Sequence, residues 1–346
     1  MEHVGLDLGA KRTHVVRIGA NGQVTERLQV PTRELPRWLE RLPPSRVVME
    51  ACTQSPAIAR AAKDAKHETF VVPGQLVRAL GVGARGIKTD DRDAEVLARA
   101  SVRSETLPSV HLRGDVSRGR KQIIAARALL VKSRVQIVLY IKSWLRGQLL
   151  SIDSRAPSPR FPDAVRRLAL SRAEGLPMEI DALLTSYTNL SEQIDELDCE
   201  LERRAEEDPT CKLLMTMPGI GPIASTMFVG HVDEVGRFES GEQLASYLGL
   251  VPGEATTGGK VVRTGSIKAG PKQLKAQMVQ SAWMLWRTRP NDPIVLWARR
   301  IAEKRGKRIA IVALARKMTK VLYAIWMTNT PYDPSRASEA RATGES

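Results

Sequence analysis

His3-Val-Gly-Leu-Asp-Leu-Gly9 alternates Val4, Leu6 and Leu8 with Gly5 and Asp7, the two-residue period of a strand with one apolar face. Asp7 therefore projects from mid-strand, on the side opposite three apolar residues. Working outward, residues 13–18 read as a second strand, Asn21-Gly22 as a hairpin turn and residues 24–30 as a third strand. A helix over 34–42 follows, and then Arg46-Val-Val-Met-Glu50, a short buried strand whose last residue is a carboxylate. Residues 56–65 form a helix and 69–72 a strand. Last comes Gly86-Ile-Lys-Thr-Asp-Asp-Arg-Asp-Ala-Glu95, which sets Asp90 and Asp93 at (i, i+3) where a helix begins. On a helix such a pair shares one face, while Asp91 points elsewhere.

Two carboxylates held that close repel unless a cation sits between them or both face water. Taken alone, a solvated helix start explains the pair, because acids favour the positive end of the helix dipole. The order of elements adds weight to the other reading. Three meandering strands followed by alternating helices and strands is the RNase H-like α/β pattern, in which acids from strand one, strand four and a late helix converge at one edge. Asp7, Glu50, Asp90 and Asp93 make such a set, with the hard oxygen ligands that Mg²⁺ requires for chemistry on phosphodiesters.

At these residues the chain resembles a known family. Gly5-Leu-Asp7, Met49-Glu50 and Lys88-Thr-Asp-Asp-Arg-Asp-Ala94 are similar to the motifs of the DEDD transposases of insertion sequences, whose relatives include Piv-type DNA invertases and RNA-guided bridge recombinases. The resemblance continues at Met217-Pro-Gly-Ile-Gly-Pro222, at Tyr247-Leu-Gly-Leu-Val-Pro-Gly253 and at Ile267-Lys-Ala-Gly270, and so spans nearly the whole chain. It implies a RuvC-like N-terminal domain, a helical insertion that assembles protomers and a C-terminal domain carrying a hydroxyl nucleophile. It also implies a structured guide RNA that selects donor and target DNA.

Composition agrees with a polyanionic partner. The 346 residues carry 53 Lys+Arg against 38 Asp+Glu, a net charge of +15. Cys52, Cys199 and Cys211 lack metal-ligand spacing and point to a reducing compartment. No basic-then-apolar leader is present and no apolar run is long enough to span a bilayer, so a cytoplasmic bacterial protein is expected.

Beyond the first domain the pattern turns helical. From Arg113 to Arg146 nine basic residues face one acid, Asp115, interleaved with apolar positions. Arg118, Arg120, Lys121, Arg127, Lys132 and Arg134 are the expected phosphate contacts, against the alternative of a merely soluble surface. After a proline-rich interruption, Leu183, Tyr187, Leu190, Ile194, Leu197 and Leu201 fall on a heptad seam. The seam can close an antiparallel hairpin with the basic helix or join two protomers, and pairing of active sites favours a homo-oligomer, a dimer or a tetramer in the synaptic complex. Met217–Pro222 reads as a helix-hairpin-helix turn whose Gly219 and Gly221 offer backbone N–H groups to phosphate, or else as a tight connection with no ligand.

Gly253-Glu-Ala-Thr-Thr-Gly-Gly-Lys-Val-Val-Arg-Thr-Gly-Ser-Ile-Lys-Ala-Gly270 combines hydroxyls and glycines with Lys260, Arg263 and Lys268. The resemblance places Thr257 where the family usually has the nucleophilic serine, and Ser266 ranks behind it. Threonine offers the same oxygen on a stiffer side chain. Nearer the C-terminus nine basic residues between Arg299 and Lys320, among them Arg305, Lys307 and Arg308, face only Glu303 and make a second polyanion surface. Trp283, Trp286, Trp297 and Trp326 read as packing.

The expected architecture is α/β plus α. A RuvC-like acidic domain spans 1–110, a basic helix and coiled coil 111–208, and a mainly helical transposase domain with a helix-hairpin-helix 209–334. A disordered tail over 335–346 ends the chain. The expected function is a Mg²⁺-dependent DNA transposase or site-specific recombinase, guided by a bridge RNA and working through a covalent hydroxyl-phosphate intermediate. A Piv-type invertase without RNA, and a silenced nucleic-acid-binding homologue, are the alternatives.

Overall fold

The computed structural model describes residues 1–77, 90–152, 158–170, 175–257, 260–267 and 270–335, with the backbone alone at 90–91, 254–257 and 260–266. All but the first residue of the expected C-terminal tail lies outside the described residues. The chain divides into two compact units, Met1–Arg113 and Gly114–Ser346. Among the described residues no helix is long and apolar enough to cross a membrane.

In the first unit β1 (His3–Leu8), β2 (Arg12–Ile18), β3 (Val24–Pro31), β4 (Arg46–Glu50) and β5 (Glu68–Val72) form one sheet in the order β3-β2-β1-β4-β5. The first three strands meander antiparallel, whereas β1 with β4 and β4 with β5 run parallel. Parallel neighbours need crossovers, and α1 (Leu35–Glu40) and α2 (Ser55–Asp64) supply them. A short α3 (Gly74–Val77) leaves β5, and α4 (Asp90–Arg103) closes the unit.

Strand alternation sorts the sheet into two faces. Val4, Leu6, Val15, Val47, Met49 and Val71 pack with Leu35, Leu39, Ile58 and Ala62 of α1 and α2. Residues of the opposite parity meet α4: Val48 and Val72 pack with Leu97 and Ala100, and Val16 and Ile18 with Ala94 and Ala98. The helix can lie that close because β1 has no side chain at Gly5. A Cβ there would come 2.0 Å from the Ala94 carbonyl oxygen and 2.7 Å from the Ala98 nitrogen.

In the second unit α5 (Asp115–Gly147) and α7 (Met178–Glu207) form a long pair, with α6 (Phe161–Leu170) packed at one end. At 33 residues α5 is about 50 Å long. Then come α8 (Pro209–Met215), α9 (Pro222–Val232) and α10 (Gly241–Tyr247). The hairpin β6 (Pro252–Thr257) and β7 (Lys260–Ser266) precedes α11 (Lys272–Thr288), α12 (Pro293–Arg305) and α13 (Lys307–Thr328). Every residue from Ala224 to Val232 is buried, so α9 is the axis of this core. Gly230 permits the crossing with α5, since a Cβ would stand 3.0 Å from the Cβ of Arg120.

The third region is mainly helical, with this two-stranded hairpin between α10 and α11. The hairpin's sequence signal is Gly258-Gly259 between two runs of β-branched residues, the two-residue spacer of a tight β-hairpin.

Candidate active site

Parity places the acids. Asp7 lies two residues beyond Gly5 on β1 and so projects from the face that α4 covers. Glu50 lies two residues beyond Val48 on β4 and shares that face. The last registered pair of the two strands is Leu6 with Met49, so Asp7 and Glu50 stand one step further along adjacent strands.

The direction of α4 brings its first turn to the same place. His3 Nδ1 meets Ser101 Oγ at 2.8 Å, near the helix C-terminus, while Gly5 lies under Ala94 and Ala98. Helix and strand therefore run antiparallel. Two strand residues advance about 6.6 Å and a helix rises 1.5 Å per residue, so passing from Gly5 to Asp7 moves about four residues back along α4 from Ala94. That is the position of Asp90, of which the backbone alone is described. Asp93 is the residue four before Leu97 and seven before Ala100, and continues their row above β4 and β5.

Arg46 holds the far end of α4. Its guanidinium donates to the carbonyls of Ser101 (3.0 Å), Ser104 (2.7 Å) and Glu105, and stacks 4.5 Å above Phe70. These are carbonyls that a helix C-terminus leaves without partners, and a cation there also complements the dipole. On the outer edge, burial alone would raise the Glu95 carboxyl, but Arg27 and Arg99 outweigh it and hold the group below its usual range.

Asp93 is 9% exposed and Glu50 half-buried, and among the described residues neither has a hydrogen-bond or ion-pair partner. A buried carboxylate without a donor is costly, and Asp93 is the more buried of the two. Among the described residues no three His, Cys, Asp or Glu side chains gather closely enough to hold a metal ion, the Asp90 side chain being outside that set.

The other predicted site residues divide. Arg120 pairs with Asp208, which also caps α8 by accepting from the backbone N–H of Thr210 and Cys211. Arg127 pairs with Asp198 and Arg134 donates to Ser191 Oγ at 3.2 Å. These three arginines are seven residues apart and, in this structure, each has a partner on α7 or at its C-terminal end, so their side chains tie the two helices together. Arg118 pairs with Asp115 at 2.7 Å, Lys121 is half-buried and Lys132 is exposed. Of the heptad seam, Tyr187, Ile194 and Leu201 are buried within the unit, and Leu183, Leu190 and Leu197 are half-buried.

Gly219 has φ +85°, and a Cβ would stand 2.8 Å from the Ser281 carbonyl, so its place is a tight connection packed on α11. Gly221, at the start of α9, has no atom of the described residues beyond its chain neighbours within 4 Å of where a Cβ would stand. Thr257 pairs with Lys260 at the tip of the hairpin, Arg263 lies opposite Glu254, and Ser266 pairs with Pro252 at the foot. The side chains of Thr257, Lys260 and Arg263, and all of Lys268, lie outside the described residues. Arg305, Lys307 and Arg308 are exposed where α12 turns into α13 at Gly306, with the Lys307 ammonium 5.2 Å from the Trp283 ring.

Sequence reading missed Gly5, Arg46 and Gly74. A glycine inside a strand pattern is itself a sign of close backbone approach, and Gly5 could have been found that way.

Comparison with known proteins gives two family matches. Residues 4–149 match a DEDD-type transposase family and residues 211–293 the transposase IS116/IS110/IS902 family. The transposase for insertion sequence element IS1328 of Yersinia enterocolitica is 26% identical over 339 residues, covering 95% of this chain and 98% of the relative. The transposase for element IS1111A of Coxiella burnetii is 26% identical over 340 residues, covering 95% and 90%. The pilin gene-inverting protein of Moraxella bovis is 31% identical over 153 residues, covering 43% of this chain and 45% of the relative. With its acids in strand, strand and helix and its two halves matched in this order, the chain belongs to the DEDD transposase family of IS110-type insertion sequences.

Proposed function

We propose that this protein cuts and rejoins DNA, with an RNase H-like (RuvC-like) acidic edge that holds Mg²⁺ and a hydroxyl nucleophile at Thr257. On this reading residues 1–110 carry the acids, 111–208 the helical pair, and 209–334 the hairpin with its hydroxyl. The observation that carries it is Asp93, a nine-tenths-buried carboxylate without a donor among the described residues, over the sheet face that Asp7 and Glu50 share. The donor set fits the ion in chemistry, being hard carboxylate oxygens from three separate elements, and glycine at 74 leaves the space that Glu50 Oε1 occupies. Asp7, Glu50, Asp90 and Asp93 would hold Mg²⁺, which supplies polarisation of a phosphate oxygen and activation of a hydroxyl.

The chain's own residues do the rest. Thr257 Oγ gives up its proton and forms a bond to phosphorus as one sugar P–O bond breaks, and a sugar hydroxyl later reverses the step and frees the threonine. Lys260, Arg263 and Lys268 follow it closely in sequence and neutralise the phosphate. Arg305, Lys307 and Arg308 hold the backbone of the nucleic acid. The outer face of α5 leaves Leu129 63%, Leu139 59% and Tyr140 58% exposed, which supports assembly of protomers through that face in place of the seam. A bridge RNA bound to the basic surfaces would choose donor and target.

The experiment is strand exchange by the purified protein with any copurifying RNA. Asp93→Asn should abolish exchange while the protein stays folded, and full activity would refute the acidic site. A second reading, inversion without RNA, gains from two observations: Arg120, Arg127 and Arg134 are committed to α7, which shrinks the surface open to RNA, and the pilin gene-inverting protein is similar over 153 residues. Exchange that survives RNase treatment would decide for it.

A further inference from the structure

We infer that Gly74 is a positioning residue for the carboxylate of Glu50: the absent side chain at 74 lets that carboxylate stand where the acidic edge needs it. The inference rests on the reading of Glu50 as a Mg²⁺ ligand. Glu50 is registered with Val72 across β4 and β5, and the Ala51 N–H donates to the Val72 carbonyl at 2.8 Å. The chain leaving β5 thus passes Pro73 and Gly74 directly beside the end of β4. The usual reason for a glycine does not apply, because Gly74 keeps an ordinary backbone conformation that any residue adopts.

What the position lacks is space. A Cβ at 74 would come 2.7 Å from Glu50 Oε1 and 3.7 Å from its Cδ, and among the described residues no other atom beyond its chain neighbours and its own helix lies within 4 Å. The clash is with the far end of a flexible side chain, so a substituted protein relieves it by swinging the carboxylate and leaves the backbone in place. Alanine at 74 therefore leaves the fold intact and moves one ligand. That separates Gly74 from Gly5, where the obstructing atoms are backbone.

Isothermal titration of the full-length protein with MnCl₂ tests this across wild type, Gly74→Ala, Glu50→Gln and the double variant. Gly74→Ala should weaken Mn²⁺ about tenfold, in the range for residues that orient metal ligands. Its metal-free melting temperature should stay within about 2 °C of wild type. In the Glu50→Gln background the same alanine should cause no further loss, because its effect passes through the missing carboxylate. Unchanged affinity in Gly74→Ala overturns the inference, as does an equal loss in both backgrounds or a large drop in metal-free melting. If Glu50→Gln alone leaves Mn²⁺ affinity unchanged, the metal role of Glu50 fails, and the inference falls with it for that separate reason.

Discussion

Two glycines do opposite things for one set of acids. Gly5 is needed by the fold, since any side chain there would collide with the Ala94 carbonyl and lift α4 from the sheet. Gly5→Ala should cost about 3 kcal/mol in urea unfolding, the scale of overpacking against atoms that cannot yield, and should weaken metal binding only as a consequence. Unfolding equal to wild type would show that α4 sits further from β1. Gly74→Ala is expected to behave in the reverse way, which makes the pair a control for each other. Asp7 and Glu50 were legible because alternation within a single strand fixes the face of each. Gly74 was not, because its contact exists only once β4 and β5 are registered side by side, a long-range fact with no local pattern.

At the scale of elements, α5 shows what a charge count hides. Nine basic residues against one acid mark a cationic helix, but the count does not say which face each occupies. Arg120, Arg127 and Arg134 recur every seven residues, the spacing that keeps side chains on one stripe facing a partner helix, and Asp208 just past the end of α7, with Asp198 and Ser191 on it, meets them in antiparallel order. Arg120 is itself buried, so Arg120→Ala removes the ion-pair partner of Asp208, leaves it only the two backbone N–H groups of α8, and should destabilise the protein by about 3 kcal/mol. It should leave the salt dependence of DNA binding unchanged. Lys132 is exposed on the same helix, and Lys132→Ala should leave stability alone while lowering the log–log salt slope by about one, the signature of one lost phosphate contact. Equilibrium unfolding and DNA titration over a salt series check both. If Arg120→Ala lowers the salt slope in a fully folded protein, the arginine reaches phosphate after all.

At the scale of the whole molecule, the order of acids in the first unit and of glycine-rich turns in the second identifies the family, whereas the proposed chemistry turns on one methyl group. The sequence resemblance ranks Thr257 ahead of Ser266, and the hairpin separates them: Thr257 pairs with Lys260 at the tip and Ser266 with Pro252 at the foot. A nucleophile must enter its substrate, and a hairpin tip reaches where a foot anchored to its own unit does not. The foot is fastened by the Ile267 N–H to the Val251 carbonyl at 3.2 Å and by the Lys275 ammonium to the Ile267 carbonyl at 3.0 Å. Trapping on a DNA substrate that cannot religate should therefore give a covalent adduct mapped to Thr257. Thr257→Ser should retain or raise the yield, because serine carries the same oxygen with more rotamer freedom, and Thr257→Ala should give none. An adduct on Thr256 or Ser266 would refute the assignment. No adduct from the native chain beside strong adduct from Thr257→Ser would mean that the methyl group blocks in-line attack, and that this member of the family binds its nucleic acids without cutting them.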